Sequence, residues 1–173
     1  MQDGGVKVRS ASRPRAALVL ANVIAATLAG GCGEGGGFSD DPQVINAAGT
    51  GFTPRLTEVL EDGGSASETD QSGYTAVMAA AFNGDVESLG ILFDFGADAE
   101  ATTEEGYTAL HSLAFGPSDD TQAAQLLIDH GADVCALLQP TANYDGGRAS
   151  EVATSVGHLS LTEFLRAHEQ ACQ

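Results

Sequence analysis

Tryptophan is absent, aromatic residues make up only 6% of the 173-residue chain, and just seven side chains are basic. Each shortage excludes something. Few large rings, with abundant Ala and Gly, suit closely stacked helices better than a β-sandwich. Four of the basic residues (Lys7, Arg9, Arg13, Arg15) fall within the first fifteen positions, whereas of the 24 acidic residues only Asp3 precedes Gly31. The remainder sets Arg55, Arg148 and Arg166 against 23 carboxylates, a net charge of −20. Such a body is repelled by nucleic-acid phosphates, whose binding depends on Lys and Arg releasing counterions, and by anionic lipid headgroups. Its acidity serves either solubility alone or a basic partner.

Signatures of chemistry are also missing. There is no HExxH, P-loop or GxSxG, and no His is paired with a Ser or Cys in a recognisable nucleophile motif. Asp119-Asp120 lacks the alternating oxygen ligands of a calcium loop, and helix capping accounts for it. The chain is therefore read as non-enzymatic, with no catalytic residue, no cofactor and no metal site.

Long hydrophobic runs are lacking too. The apolar stretch 16–31 (AALVLANVIAATLAGG) is short for a membrane span and suits the core of a secretory signal, with the basic residues before it. Asp3, Gly4 and Gly5 are atypical at such a start. The run ends in LAGGC, and small residues before Cys32 resemble the lipobox of bacterial lipoproteins, although Ala29 stands where Leu is usual. The resemblance implies that Cys32 is lipidated; the alternative is ordinary cleavage with a free or paired thiol. Acyl chains hold by burying methylenes, about 0.8 kcal/mol each. The Gly-rich stretch that follows acts as a tether with a reach on the order of 16 Å. Gly33 rather than Asp follows the cysteine, which by the same resemblance favours the outer membrane.

What the chain does have is a repeat. GYTA at 73–76 recurs at 106–109, and GAD at 96–98 recurs at 131–133. Ala47, Ala48 and Gly51 lie 33 positions before Ala80, Ala81 and Gly84, and GGRASEVATSVGH at 146–158 fits the same frame. These motifs, with GYTALHSLA and LLIDHGADVCA as the best pair, resemble the ankyrin repeat. The resemblance implies an all-α solenoid of about four helix-turn-helix units with short β-turn fingers. The predicted organisation is a signal peptide over 1–31, a tether over 32–41 and a repeat domain over 42–173. Its units span about 42–69, 70–102, 103–137 and 143–173.

The physical role of each recurring letter can be stated. Thr75 and Thr108 cap the first helices; Ala80, Ala81 and Ala114 let neighbouring helices approach. Gly84 and Gly157 occupy turns that favour positive φ. Leu89, Leu92, Phe93, Leu126 and Leu127 form the buried stripe of second helices. Two insertions depart from the period. The first, FGPSDDTQ, lets Ser118 or Asp119 cap the following helix. The second, 137–145, leaves Leu137 and Leu138 exposed unless it folds back. By the family pattern His111 and His158 are structural, and His130 and His168 lie near helix ends that favour cations.

Ankyrin arrays usually bind proteins through finger tips and the exposed side of first helices. Mapped onto this chain, that face carries Tyr74, Phe82, Asn83, Tyr107, Phe115 and Tyr144, with Glu68, Asp70, Glu104, Glu105 and Asp145 as an acidic rim. Aromatics of this kind dominate binding hot spots. An alternative reading packs Tyr74 and Tyr107 as spacers between units. Cys135 and Cys172 form a candidate disulfide. Adjacent units separated by roughly 8–10 Å are too far apart for an unstrained bridge, so it requires the terminus or the loop to move.

The predicted function is a protein-protein interaction module of the bacterial cell envelope, monomeric and facing the periplasm. It touches the membrane only through its lipid anchor, or is exported and soluble if Cys32 is unmodified. The expected partner is a protein with basic residues around an apolar patch. Within that function, alternatives are an immunity-type inhibitor of a toxin or a helper of a periplasmic enzyme. From another class, the alternative is a structural envelope lipoprotein without a dedicated partner.

Overall fold

The structure is a computed structural model that describes residues 43–140 and 145–172. Among these residues there are eight α-helices: α1 (Gln43–Gly49), α2 (Thr53–Glu61), α3 (Ala76–Asn83), α4 (Val86–Asp94), α5 (Ala109–Phe115), α6 (Thr121–Asp129), α7 (Ala149–Val156) and α8 (Leu159–His168). A 3-10 turn, Glu169–Ala171, follows α8. The described residues form no β-strand, only two isolated antiparallel bridges, Thr69 with Thr75 and Leu138 with Gly147. Signal, tether and Cys32 lie outside the described residues.

The helices form four antiparallel pairs in two layers. The first helices α1, α3, α5 and α7 pack side by side in chain order, and the second helices α2, α4, α6 and α8 do the same behind them. Position in this arrangement dictates composition. Six successive residues of α3, Ala76 to Ala81, are buried, because α1, α5 and α4 surround them. A helix enclosed on three sides has no polar face to offer, and four of its eight residues are alanines, too small to hold its neighbours apart. The second helices meet fewer neighbours and stay amphipathic, burying Leu89 and Leu92, then Ala123, Ala124 and Leu127, then Leu161 and Leu165.

Local chemistry starts and stops each helix where the repeat letters fall. Thr75 Oγ1 accepts the Met78 N–H at 3.2 Å and Thr108 Oγ1 accepts the His111 N–H at 3.4 Å. Asp85 caps α4 through the Ser88 N–H at 3.1 Å. The α3–α4 turn passes through Gly84 at φ +67°, a left-handed conformation that a Cβ opposes. The Asp of each GAD motif closes the turn after its own helix: Asp98 accepts the Glu100 N–H and Asp133 the Cys135 N–H, both at 2.8 Å.

The insertions fold onto other units. Asp120 caps α6 through the Gln122 N–H at 2.7 Å, which corrects the assignment of that role to Ser118 or Asp119. Asp119 reaches instead to α8, accepting the N–H groups of Leu161 at 2.7 Å and Ser160 at 3.1 Å. The N-cap residue of α8, His158, makes no side-chain cap of its own, so a carboxylate from the third unit supplies what the fourth lacks. These bonds hold the Asp119 carboxyl below its ordinary pKa. The second insertion separates its two leucines. Leu138 is buried and exchanges two 2.9 Å backbone hydrogen bonds with Gly147, while Leu137 remains 56% exposed.

Candidate partner-binding face

The first two fingers are closed, hydrogen-bonded loops. In the first, the Asp70 N–H donates to the Tyr74 carbonyl at 3.0 Å, and the Asp70 carboxylate accepts from the Tyr74 N–H at 2.9 Å. In the second, the Thr103 N–H donates to the Tyr107 carbonyl at 3.0 Å, and Thr103 Oγ1 accepts from the Tyr107 N–H at 3.2 Å. An acceptor side chain four residues before the tyrosine is thus part of the repeat. Its signal in the sequence is only a shared hydrogen-bonding role at a 33-residue interval, Asp in one unit and Thr in the next.

These loops decide the fate of the tyrosines. They turn Tyr74 and Tyr107 inward, where the rings stack with centroids 6.3 Å apart. Tyr107 also stacks on His111 at 6.0 Å and on Phe115 at 6.1 Å. Tyr74 is 9% exposed and belongs to the core. Burial, with the Asp70 charge adding to it against the Ser112 hydroxyl, pushes the Tyr74 phenol up to about 12. Burial pushes Tyr107 up further, with Tyr74 adding and Ser112 opposing. The open tyrosine stripe drawn from the sequence is corrected here: Tyr74 is a core spacer whose ring meets Tyr107 of the next unit, whereas Tyr107 is half-buried between Tyr74 and the His111 and Phe115 rings of its own unit. Tyr144 lies outside the described residues.

The rest of the predicted face divides. Phe82 and Phe115 are half-buried. Asn83 is exposed, but its Nδ2 donates to the Gly49 carbonyl at 2.9 Å and so closes the end of α1. Glu104, Glu105 and Asp145 are exposed. The structure brings the second and third fingers together: the Gln139 N–H donates to the Glu105 carbonyl at 2.8 Å. The Leu137 carbonyl lies where a Cβ on Gly106 would sit. This contact brings the backbone of exposed Leu137 against the second finger at Gly106, next to Glu105, a neighbour that the period does not supply because it sits in an insertion.

His111 ties this region to the fourth unit. Its Nδ1 accepts the Thr108 N–H at 3.3 Å and lies 2.8 Å from Thr108 Oγ1, while Nε2 lies 3.0 Å from the Gly147 carbonyl. A carbonyl only accepts, so Nε2 carries the proton and the ring is neutral. Burial lowers its pKa against the opposing bond to Gly147. Cys135 and Cys172 are joined as a disulfide, with Cα atoms 5.6 Å apart. The 3-10 turn after α8 carries Cys172 back toward the third finger, closing the distance that stacking alone leaves open. Among the described residues no cluster of three or more His, Cys, Asp or Glu could hold a metal, and no helix is long and apolar enough to cross a membrane.

Comparison with protein families matches a model described as ankyrin repeats (3 copies) over residues 44–137 and again over 78–172. The chain is an ankyrin-repeat protein. The two overlapping matches run through all four helix pairs. Ankyrin repeats are generally protein-protein interaction modules and generally non-catalytic. The curated proteins contain no match to this chain.

Proposed function

We propose that this ankyrin-repeat chain is a protein-binding module of the bacterial cell envelope, anchored through a lipidated Cys32, that recognises a basic partner at its second and third fingers. The observation that carries the reading is the junction of those fingers. The Glu105 carbonyl accepts the Gln139 N–H and the Leu137 carbonyl approaches Gly106, so exposed Leu137 joins the finger that carries the exposed carboxylates of Glu104 and Glu105, the latter accepting from Thr103 Oγ1 at 3.0 Å. An apolar side chain within an acidic rim suits a basic segment bearing its own apolar residue. Phe115 and Phe82, each half-buried, extend the apolar surface along the first helices, and Asp145 extends the rim.

The test is a crosslinked pull-down from the native envelope. Wild type is compared with a variant carrying Glu104→Gln, Glu105→Gln and Leu137→Ala, all at exposed positions. The reading expects one basic protein captured by wild type and lost by the variant at unchanged helix content. Capture of the same protein by both removes this face from consideration. Self-association through Leu137, seen as sedimentation that rises with concentration and falls in Leu137→Ala, would favour a structural envelope component instead. Labelling with radioactive palmitate, present in wild type and absent in Cys32→Ser, tests the anchor separately.

A further inference from the structure

The disulfide closes a specific part of the molecule. Cys135 follows the third helix pair and Cys172 follows the 3-10 turn after α8, 37 positions on. The covalent loop between them contains the second insertion, α7 and α8, which is the fourth unit and no other. That unit has a neighbour on one side only, α5 and α6. Its buried contribution is modest: Ala149, Val152, Ala153, Leu161 and Leu165, with Ser150 and Thr162. Beyond these, polar contacts attach it to the third unit: His111 Nε2 to the Gly147 carbonyl at 3.0 Å, and Asp119 to the first turn of α8 at 2.7 and 3.1 Å. Both cysteines are partly exposed, so a thiolate in solution can reach them.

We propose that the Cys135–Cys172 disulfide is a redox latch that sets the number of folded repeats. Oxidised, the stack has four units. Reduced, the fourth detaches while the first three remain folded. In a repeat array stability is approximately a sum of unit and neighbour-interface terms, and a crosslink acts on the unfolded freedom of the segment it closes. Loss of this one therefore falls on the fourth unit. The reaction needs a dithiol. One of its thiolates attacks a cystine sulfur and the other cystine sulfur leaves as a thiolate; the second thiol then displaces the mixed disulfide. Two electrons and two protons pass to Cys135 and Cys172, and the reductant leaves as its own cyclic disulfide. Detachment removes the acceptor of His111 and the Gln139 partner of Glu105.

Hydrogen exchange read by mass spectrometry on the whole chain tests this. The untreated protein is compared with protein reduced by dithiothreitol and with a Cys135→Ser/Cys172→Ser double variant without reductant. Peptide masses after alkylation verify that both thiols are free. Amides of α7 and α8 are expected to exchange about tenfold faster or more in the reduced protein and in the variant, with α1 to α6 keeping their protection. Retained protection in α7 and α8 after verified reduction overturns the latch. Equal loss across all eight helices also overturns it, since the disulfide would then hold the whole fold rather than its last unit.

Discussion

His111 is neutral in the folded protein, and each of its ring nitrogens has a fixed partner. Its pKa is lowered from the ordinary 6.5 by burial. Above that value both the folded and unfolded chains hold it neutral. Below it, the unfolded chain takes up a proton that the folded site resists, so this residue's contribution to stability falls as pH drops. His111→Ala should cost about 2 kcal/mol at neutral pH, because the Thr108 N–H and the Gly147 carbonyl lose a partner in a buried site. The same variant should show a shallower loss of Tm than wild type between pH 6.5 and pH 5, measured by thermal melts in matched buffers. Asp119 responds in a lower window. Its depressed pKa gives stability that is present above 3.8 and lost as pH falls through the folded value. Asp119→Ala should cost about 1 kcal/mol, as loss of a helix cap does, and urea melts at neutral pH would measure it. At this scale the sequence is legible wherever cause and effect are neighbours in the chain. Thr75, Thr108 and Gly84 act on residues within four positions. Asp119 could be recognised as a capping residue but not as the cap of a helix forty positions away.

The elements divide by how much of each is enclosed. α3 is buried along six successive residues, and a longer side chain at Ala80 would force α1, α3 and α5 apart. Ala80→Leu should therefore destabilise by about 1–3 kcal/mol through overpacking. Leu113→Ala, deep in α5, should cost about 2–5 kcal/mol by leaving a cavity. Chemical denaturation followed by circular dichroism distinguishes both from Leu137→Ala, whose exposed side chain predicts little change. The fingers explain where reading the sequence stops. A tyrosine just after a motif glycine has the same local surroundings whether it faces solvent or the next unit. Only the ring of Tyr107, stacked against Tyr74, decides between them. Leu137 and Leu138 likewise differ only in which one the backbone bridge to Gly147 turns inward.

For the molecule as a whole, charge is the dominant feature. Three arginines face 23 carboxylates after Gly31, and among the described residues one ion pair forms, Arg55 with Glu58 at 2.8 Å, both exposed. Such a pair contributes about 0.5 kcal/mol, so most of the negative charge is balanced by solvent ions alone. Self-repulsion of this kind weakens when salt shortens the screening length from about 30 Å at 0.01 M to about 8 Å at 0.15 M. Tm should rise by several degrees across that range, in a scan of sodium chloride at constant pH. Association with a basic partner should weaken over the same range, so the two effects of salt have opposite sign and can be measured on one preparation.

The bond between Cys135 and Cys172 also governs how the chain carries a mechanical load. Pulled from opposite sides of the fourth unit, an uncrosslinked chain would release all 37 positions between the two cysteines, about 120–130 Å of extended backbone. With the bond in place, tension passes through the sulfurs and that length stays out of reach, even after α7 and α8 have melted. In a single-molecule stretching trace the hidden length would emerge only after dithiothreitol is added.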